Sequence, residues 1–321
     1  MTETSAAKAA ATWSGIAEPG DTWAGALREQ LGAEAALDWI GRPYEPLLEE
    51  IKTPAGDKDP SAWKKRHQRW HQRLTELNID AELAELETLG GHLVVPSDPD
   101  WPIRLNDLGY AAPAALWVMG EGTLPSADEQ AVSIVGSRAA TTYGITVSET
   151  LARELTANGI AVISGGACGI DAAAHRGALE AQTTNTKQAL PGTVAILSGG
   201  LSNLHPAGNQ PLFERIAGEG GLILAEVPPS FRPARWRFLE RNRLIAALSG
   251  ATVVVEGGMR SGAIATANRA VDLDRVVVAV PGPITSATSQ GANQLLKDGA
   301  TLIASATDVI EALEVNRTKE E

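Results

Sequence analysis

VSIVGSRAATTYG, residues 132–144, decides the architecture. A short β-branched run ends on Gly136-Ser137-Arg138, and a helical stretch, GITVSETLARELTANG (144–159), follows almost at once. Five more apolar runs repeat the theme: IAVIS (160–164), TVAILS (193–198), GLILAE (221–226), ATVVVE (251–256) and RVVVAVP (275–281). Strands that are apolar throughout, rather than at alternate positions, are buried on both faces. When helices separate them, they run parallel. The reading is an α/β fold built on a Rossmann-like, doubly wound, mostly parallel sheet. Ligands of such sheets sit beyond the carboxyl ends of the strands, so function is expected in the loops that follow each run.

Those loops are rich in glycine. They read Gly136-Ser137-Arg138, then Ser164-Gly165-Gly166-Ala167-Cys168-Gly169-Ile170-Asp171, then Ser198-Gly199-Gly200, and later Glu256-Gly257-Gly258-Met259-Arg260-Ser261-Gly262. Glycine lets the backbone approach a ligand and present consecutive N–H groups as an anion nest, and a helix N-terminus adds partial positive charge. Arg138 offers a planar, permanently charged fork for phosphate oxygens. Neither a dinucleotide fingerprint with its ribose acid nor a Walker loop is present in convincing form, so no cofactor is expected, and no metal. Asp171 reads as an N-cap for the helix that follows. His175, one turn further on, either touches phosphate or satisfies a buried neighbour.

The formal net charge of −12 is the wrong sign for a nucleic-acid binder, so any such role requires a local positive patch. Residues 231–243, FRPARWRFLERNR, supply one, with five arginines, one glutamate and three aromatics on which bases can stack. Arg241 and Arg243 are the expected ligand groups, with Phe231 and Trp236 left open. A second basic stretch, residues 63–74, places Trp63, His67, Trp70 and Leu74 on one packing face and its charges towards solvent.

The 321 residues divide by composition. Expected are a flexible tail (1–20), a small helical domain (21–90), an extended connector packed on the core (91–125), the α/β core (126–315) and a short tail (316–321). TTNTKQALPG (183–192) reads as a polar surface insertion. The single cysteine, Cys168, excludes an internal disulfide and suits a reducing compartment. With no secretory h-region and no long apolar run, the expected location is cytoplasmic, away from membrane.

In order and spacing, VSIVGSRAATTYG, VISGGACGIDAAAHRGAL (162–179), TVAILSGGL, the Arg241-Asn242-Arg243 run, VVVEGGMRSGAIATANRA (253–270) and VAVPGP (278–283) followed by SQGANQLLKDGA resemble the DprA/Smf family. DPDWPIRLNDL (98–108) resembles that family's lead into its core, and the helical front part its SAM-like domain. The resemblance implies single-stranded DNA binding, protection of incoming DNA in natural transformation, handing of strands to RecA, and a homodimer through the core. It implies no catalysis. Carried over by position, DNA contacts fall on Gly136, Ser137, Arg138, Ser164, Gly165, Gly169, Asp171, Arg241, Asn242, Arg243, Ser261, Gly262 and Thr266. Three departures stand out. Cys168 replaces a residue usually basic, Ala225 replaces a common serine, and no winged-helix-like C-terminal domain is expected after the core. The alternatives are a nucleoside-monophosphate phosphoribohydrolase of the LOG type, whose motif glutamate is Thr266 here, and a nucleotide sensor using the same nest.

Overall fold

The protein is seen in a computed structural model that describes residues 2–47, 51, 53–54, 60–125, 131–182 and 191–320. Most of the polar insertion expected at 183–192 lies outside the described residues.

The six apolar runs form strands β3 (Ala131–Val135), β4 (Ala161–Ser164), β5 (Thr193–Ile196), β6 (Leu222–Ala225), β7 (Ala251–Val254) and β8 (Val276–Ala279). With β1 (His92–Val94), β2 (Leu116–Gly120) and β9 (Thr301–Leu302) they make a nine-stranded sheet in the order β1-β2-β6-β5-β4-β3-β7-β8-β9. Every pairing from β6 to β9 is parallel, while β2 joins β6, and β1 joins β2, antiparallel. Strand order reverses between β3 and β7, so the loops after these two strands diverge and open a crevice.

The sheet is covered on both faces, as the unbroken apolar runs require. Val132 and Ile134 pack with α6 (Thr142–Ala157), α7 (Ile170–Gln182) and α12 (Ala306–Glu320). Ala131 and Val135 pack with α9 (Arg235–Ala247), α10 (Gly262–Asp272) and α11 (Gln290–Lys297) on the other face. Adjacent strand residues thus serve opposite layers, the period-two rule of a pleated strand.

Three expectations outside the core are corrected. The stretch 91–125 is not merely a connector, because it contributes β1 and β2 and so covers the otherwise unpaired edge of β6. Residues 1–20 are not a tail. They hold helix α1 (Thr2–Ile16), whose Ala11, Trp13 and Ile16 are fully buried. Its alanines favour helix, and Trp13 donates its indole N–H to the Ala33 carbonyl at 2.9 Å. Trp117 of β2 donates to Ser14 Oγ at 3.0 Å, fastening α1 to the sheet. The tail expected from 316 is instead the end of α12, helical to Glu320.

The helices α2 (Thr22–Leu31), α3 (Ala33–Gly41), α4 (Pro60–Glu76) and α5 (Ile79–Thr88) follow α1. Asp21 caps α2 by accepting from the Trp23 and Ala24 N–H groups, and Gly32, at φ 81°, turns the chain into α3. Trp63, His67 and Trp70 of α4 are buried, as their spacing predicts. The charges of α4 face solvent as expected, with Lys64, Lys65 and Arg69 exposed, and three of its arginines also make contacts inside this domain. Arg66 lies 3.7 Å from the Trp23 ring centroid, Arg69 pairs with Asp21 at 2.9 Å, and Arg73 pairs with Glu18 at 2.8 Å.

Candidate nucleic-acid interface

A cavity of about 730 Å³ opens where the loops after β3, β4 and β7 face helix α9. The β3 loop contributes Gly136, Ser137 and Arg138, the β4 loop Ala167, and the first turn of α7 Asp171. Ser261, Gly262 and Thr266 come from the start of α10. Helix α9 supplies Arg235, Phe238, Leu239, Arg241 and Asn242, close to the i, i+3, i+4, i+7 spacing of one helix face.

Arg241 is the buried cation of the site. It is 6% exposed, and its Nη1 donates to the carbonyl oxygens of Gly165, at 2.7 Å, and Ile196. Among the described residues its Nε has no partner. Burial lowers its pKa to about 10, opposed by Asp171 and assisted by the like charge of Arg138, so it stays charged at neutral pH. Asp171 is held by the opposite balance. Burial raises its pKa, while Arg241 and the N–H groups of Ala167, Gly165 and Gly136 pull it back. Asp171, expected as the N-cap, instead lies inside the first turn of its helix, which already begins at Ile170, and its carboxylate accepts from the Ala167 N–H in the loop before it.

Arg138 and Arg235 are exposed at the rim, and the Arg138 guanidinium carbon lies 5.2 Å from the Phe238 ring centroid. Ser261 caps α10 through the Ile264 N–H, and Thr266 Oγ1 turns back on the Gly262 carbonyl at 3.0 Å. Asn242 donates to that same carbonyl at 3.3 Å and ties α9 to α10. The result is three arginines and a helix N-terminus around one carboxylate, on a chain of net charge −12.

Nine of the thirteen residues expected at the site line this cavity, and four do not. Ser164 is fully buried, with Oγ donating to the Ile134 carbonyl at 2.6 Å. Gly165 and Gly169 shape the loop. Gly169 has φ 81°, and a Cβ there would stand 2.7 Å from the Arg138 carbonyl. Arg243 points away and forms a buried ion pair with Glu226, while its Nε donates to the Ala111 carbonyl at 2.9 Å. The cause is helical geometry, since residues two apart differ by about 200° around the axis, so Arg241 and Arg243 cannot share a face.

Sequence reading passed over Arg235, Phe238 and Leu239 as site residues, although the helical spacing from Arg235 to Asn242 carries the signal. Of the five arginines in 231–243, Arg237 is also spent, bound to Glu18 at 3.0 Å. Trp236 is 57% exposed and donates to Glu18, and Phe231 lies beside Arg237. The choice left open for His175 resolves towards a buried neighbour. Its Nδ1 is 2.7 Å from Thr193 Oγ1, whose own hydrogen goes to the Val162 carbonyl, so Nδ1 is the donor. Cys168 is exposed and outside the lining.

Two strand-end carboxylates outside the cavity, Glu226 and Glu256, are engaged elsewhere. Glu226 holds Arg243, and Glu256 accepts from the Thr141 N–H at 2.9 Å and hydroxyl at 2.5 Å. Among the described residues no His/Cys/Asp/Glu group is arranged to hold a metal, and no helix is long and apolar enough to cross a membrane.

The family model for DNA recombination-mediator protein A matches residues 92–314. A DprA homologue of Mycobacterium tuberculosis is 45% identical over 247 residues, covering 73% of this chain and 61% of that protein, so the chain spans about three fifths of its relative's length. The crystal structure of DprA from Streptococcus pneumoniae superposes with a TM-score of 0.70 at 29% identity, over 94% of this chain and 95% of that one. DprA from Helicobacter pylori, whose structure was described for its single-stranded DNA binding mode, gives 0.59 at 30% identity over 70% and 97%.

Proposed function

The chain belongs to the DNA recombination-mediator protein A family, and from that premise we propose that it binds single-stranded DNA in the α9 cavity, without catalysing a reaction. The observation that carries this reading is the convergence of Arg138, Arg235 and Arg241 with the α10 N-terminus around the Phe238 ring. Phosphates sit between the rim arginines and the Gly136–Arg138 and Ser261–Gly262 backbone, where fixed N–H groups and cations replace water. One base lies against Phe238. A base stacked within a duplex has no free face to offer that ring, which favours single strands. The likeness to the H. pylori protein supports the same preference.

The other expected associations are part of the proposal. Strands are handed to RecA, in keeping with the recombination-mediator name of the family. Two copies pair through the core, for which the exposed edge strand β9, with Leu302 56% exposed, offers unpaired backbone. The working compartment is the cytoplasm, where an exposed free thiol such as Cys168 stays reduced.

The test is affinity for oligo-dT and for duplex DNA across a salt series. Preference for single strands and a steep fall with salt are expected. Arg138→Ala and Arg235→Ala each reduce the slope of log affinity against log salt by about 0.7. Unchanged binding and slope in both variants would refute the site.

A further inference from the structure

A second cavity, of about 560 Å³, lies beside the first at the strand ends and is lined by Thr141, Tyr143, Glu256, Pro281, Gly282, Pro283, Ser286 and Ser289. The two cavities share their dividing walls. The loop after β3 turns Ser137 and Arg138 to the first and Thr141, followed by Tyr143 in the first turn of α6, to the second, and the loop after β7 turns Ser261 to the first and Glu256 to the second. Thr141 follows Arg138 by three positions, so the step between cavities is at most about 11 Å of chain.

The chemistry of the second cavity is the reverse of the first, because among the described residues no lysine or arginine lines it. The α6 N-terminus, which would otherwise attract a phosphate, is already occupied. The buried Glu256 carboxylate accepts from Thr141, and a Cβ at Gly144 would stand 2.6 Å from its Cδ. The cavity therefore rejects anions. What remains is a Tyr143 ring 46% exposed, proline surface and a few hydroxyls, which suit a flat, uncharged group.

The walls are held in place. Tyr143 donates to the Pro281 carbonyl at 3.0 Å, Asn293 bonds both the N–H and the C=O of Gly282, and the Gly257 N–H donates to the Thr288 carbonyl at 2.6 Å. A preformed site costs little ordering on binding.

We infer that this cavity is a base subsite, which takes an uncharged nucleobase of the same DNA strand after its backbone has crossed from the cationic cavity over the Arg138–Thr141 wall. The inference rests on the single-stranded DNA reading of the first cavity. It makes the site bipartite, with phosphates gripped on one side of the wall and a base lodged on Tyr143 on the other.

The experiment compares dT4 with dT10 by fluorescence anisotropy at fixed salt, for the parent, Tyr143→Ala, Tyr143→Phe, Ser286→Leu and Arg138→Ala. Tyr143→Ala is expected to weaken dT10 by about tenfold and leave dT4 unchanged, as loss of one stacked base implies. Tyr143→Phe keeps the ring and retains parental affinity. Ser286→Leu fills the cavity from the opposite wall and repeats the length-dependent loss. With dT10 carrying 5-iododeoxyuridine at one position at a time, photocrosslinks to Tyr143 are expected at one end of the bound segment. Parental binding of dT10 by both Tyr143→Ala and Ser286→Leu, or equal losses on both lengths, overturns the inference while leaving the first site standing. If Arg138→Ala also binds both lengths like the parent, the single-stranded DNA reading itself falls.

Discussion

Gly165 leaves the space that Arg241 occupies: a Cβ on Gly165 would stand 2.5 Å from the guanidinium carbon of Arg241. The absence of a side chain in the β4 loop thus sets where the central cation of the α9 cavity lies. Gly165→Ala is expected to push the guanidinium off its two carbonyl acceptors and to lower single-stranded DNA affinity about tenfold. The overpacking costs about 1–3 kcal/mol of stability. Oligo-dT titration beside urea unfolding reads both, and parental affinity would show that Arg241 need not sit there to bind.

Arg243 behaves differently from Arg241 despite standing two residues away. Removing one partner of its buried pair with Glu226 leaves an uncompensated charge, so Arg243→Met is expected to destabilise the protein by about 3–5 kcal/mol. The fraction that remains folded should bind oligo-dT with parental affinity and salt slope. A change of salt slope without loss of stability would return Arg243 to the ligand site.

His175 makes stability depend on pH. Burial lowers its pKa from 6.5 to about 3, with Arg241 and Arg176 pushing the same way, so it is neutral in the folded protein. The unfolded chain binds the extra proton between those values. The stability contributed by neutral His175 is therefore full above pH 6.5 and is lost as pH falls towards 3, by up to about 1.4 kcal/mol per pH unit. His175→Gln should flatten that slope between pH 6.5 and 4 in urea unfolding, even if it lowers stability at pH 7. An unchanged slope would assign the acid sensitivity elsewhere.

Glu18 joins α1's end of the helical domain to α9. Burial raises its pKa, but hydrogen bonds from Arg237 and Trp236 and the charges of Arg237 and Arg73 outweigh it and bring the value from 4.5 to about 2. The ionised form is favoured by the fold, so its stabilisation is present above pH 4.5 and lost as pH falls towards 2. Glu18→Gln is expected to cost about 1–3 kcal/mol at pH 7, with the difference from the parent shrinking in acid. Trp236 fluorescence should report the loosened contact, and a pH-independent difference would sink this account.

The parallel sheet was legible because unbroken runs such as ATVVVE can be buried only between two helical layers. The site was legible in its glycines and in Arg138, since loops after parallel strands converge on one edge. Its aromatic and second rim cation were not read, although Arg235, Phe238 and Asn242 fall on one face of α9. A count of five arginines in 231–243 does not say which ones carboxylates from distant segments neutralise. Glu18 takes Arg237 and Glu226 takes Arg243, across hundreds of residues in the first case and a single strand-to-helix connection in the second.

The Rossmann-like, glycine-lined edge was thus determined by sequence, because strand burial, glycine loops and helix starts are local properties of short stretches. Whether a charge on that edge is free or spent was decided only by tertiary structure. The reach of Glu18 to Arg237 of α9, the seating of Arg241 on Gly165 and the Glu256 cap that divides a cationic cavity from a neutral one all join segments far apart in the chain. Charge pairing depends on distance in space, and no spacing along the chain records it.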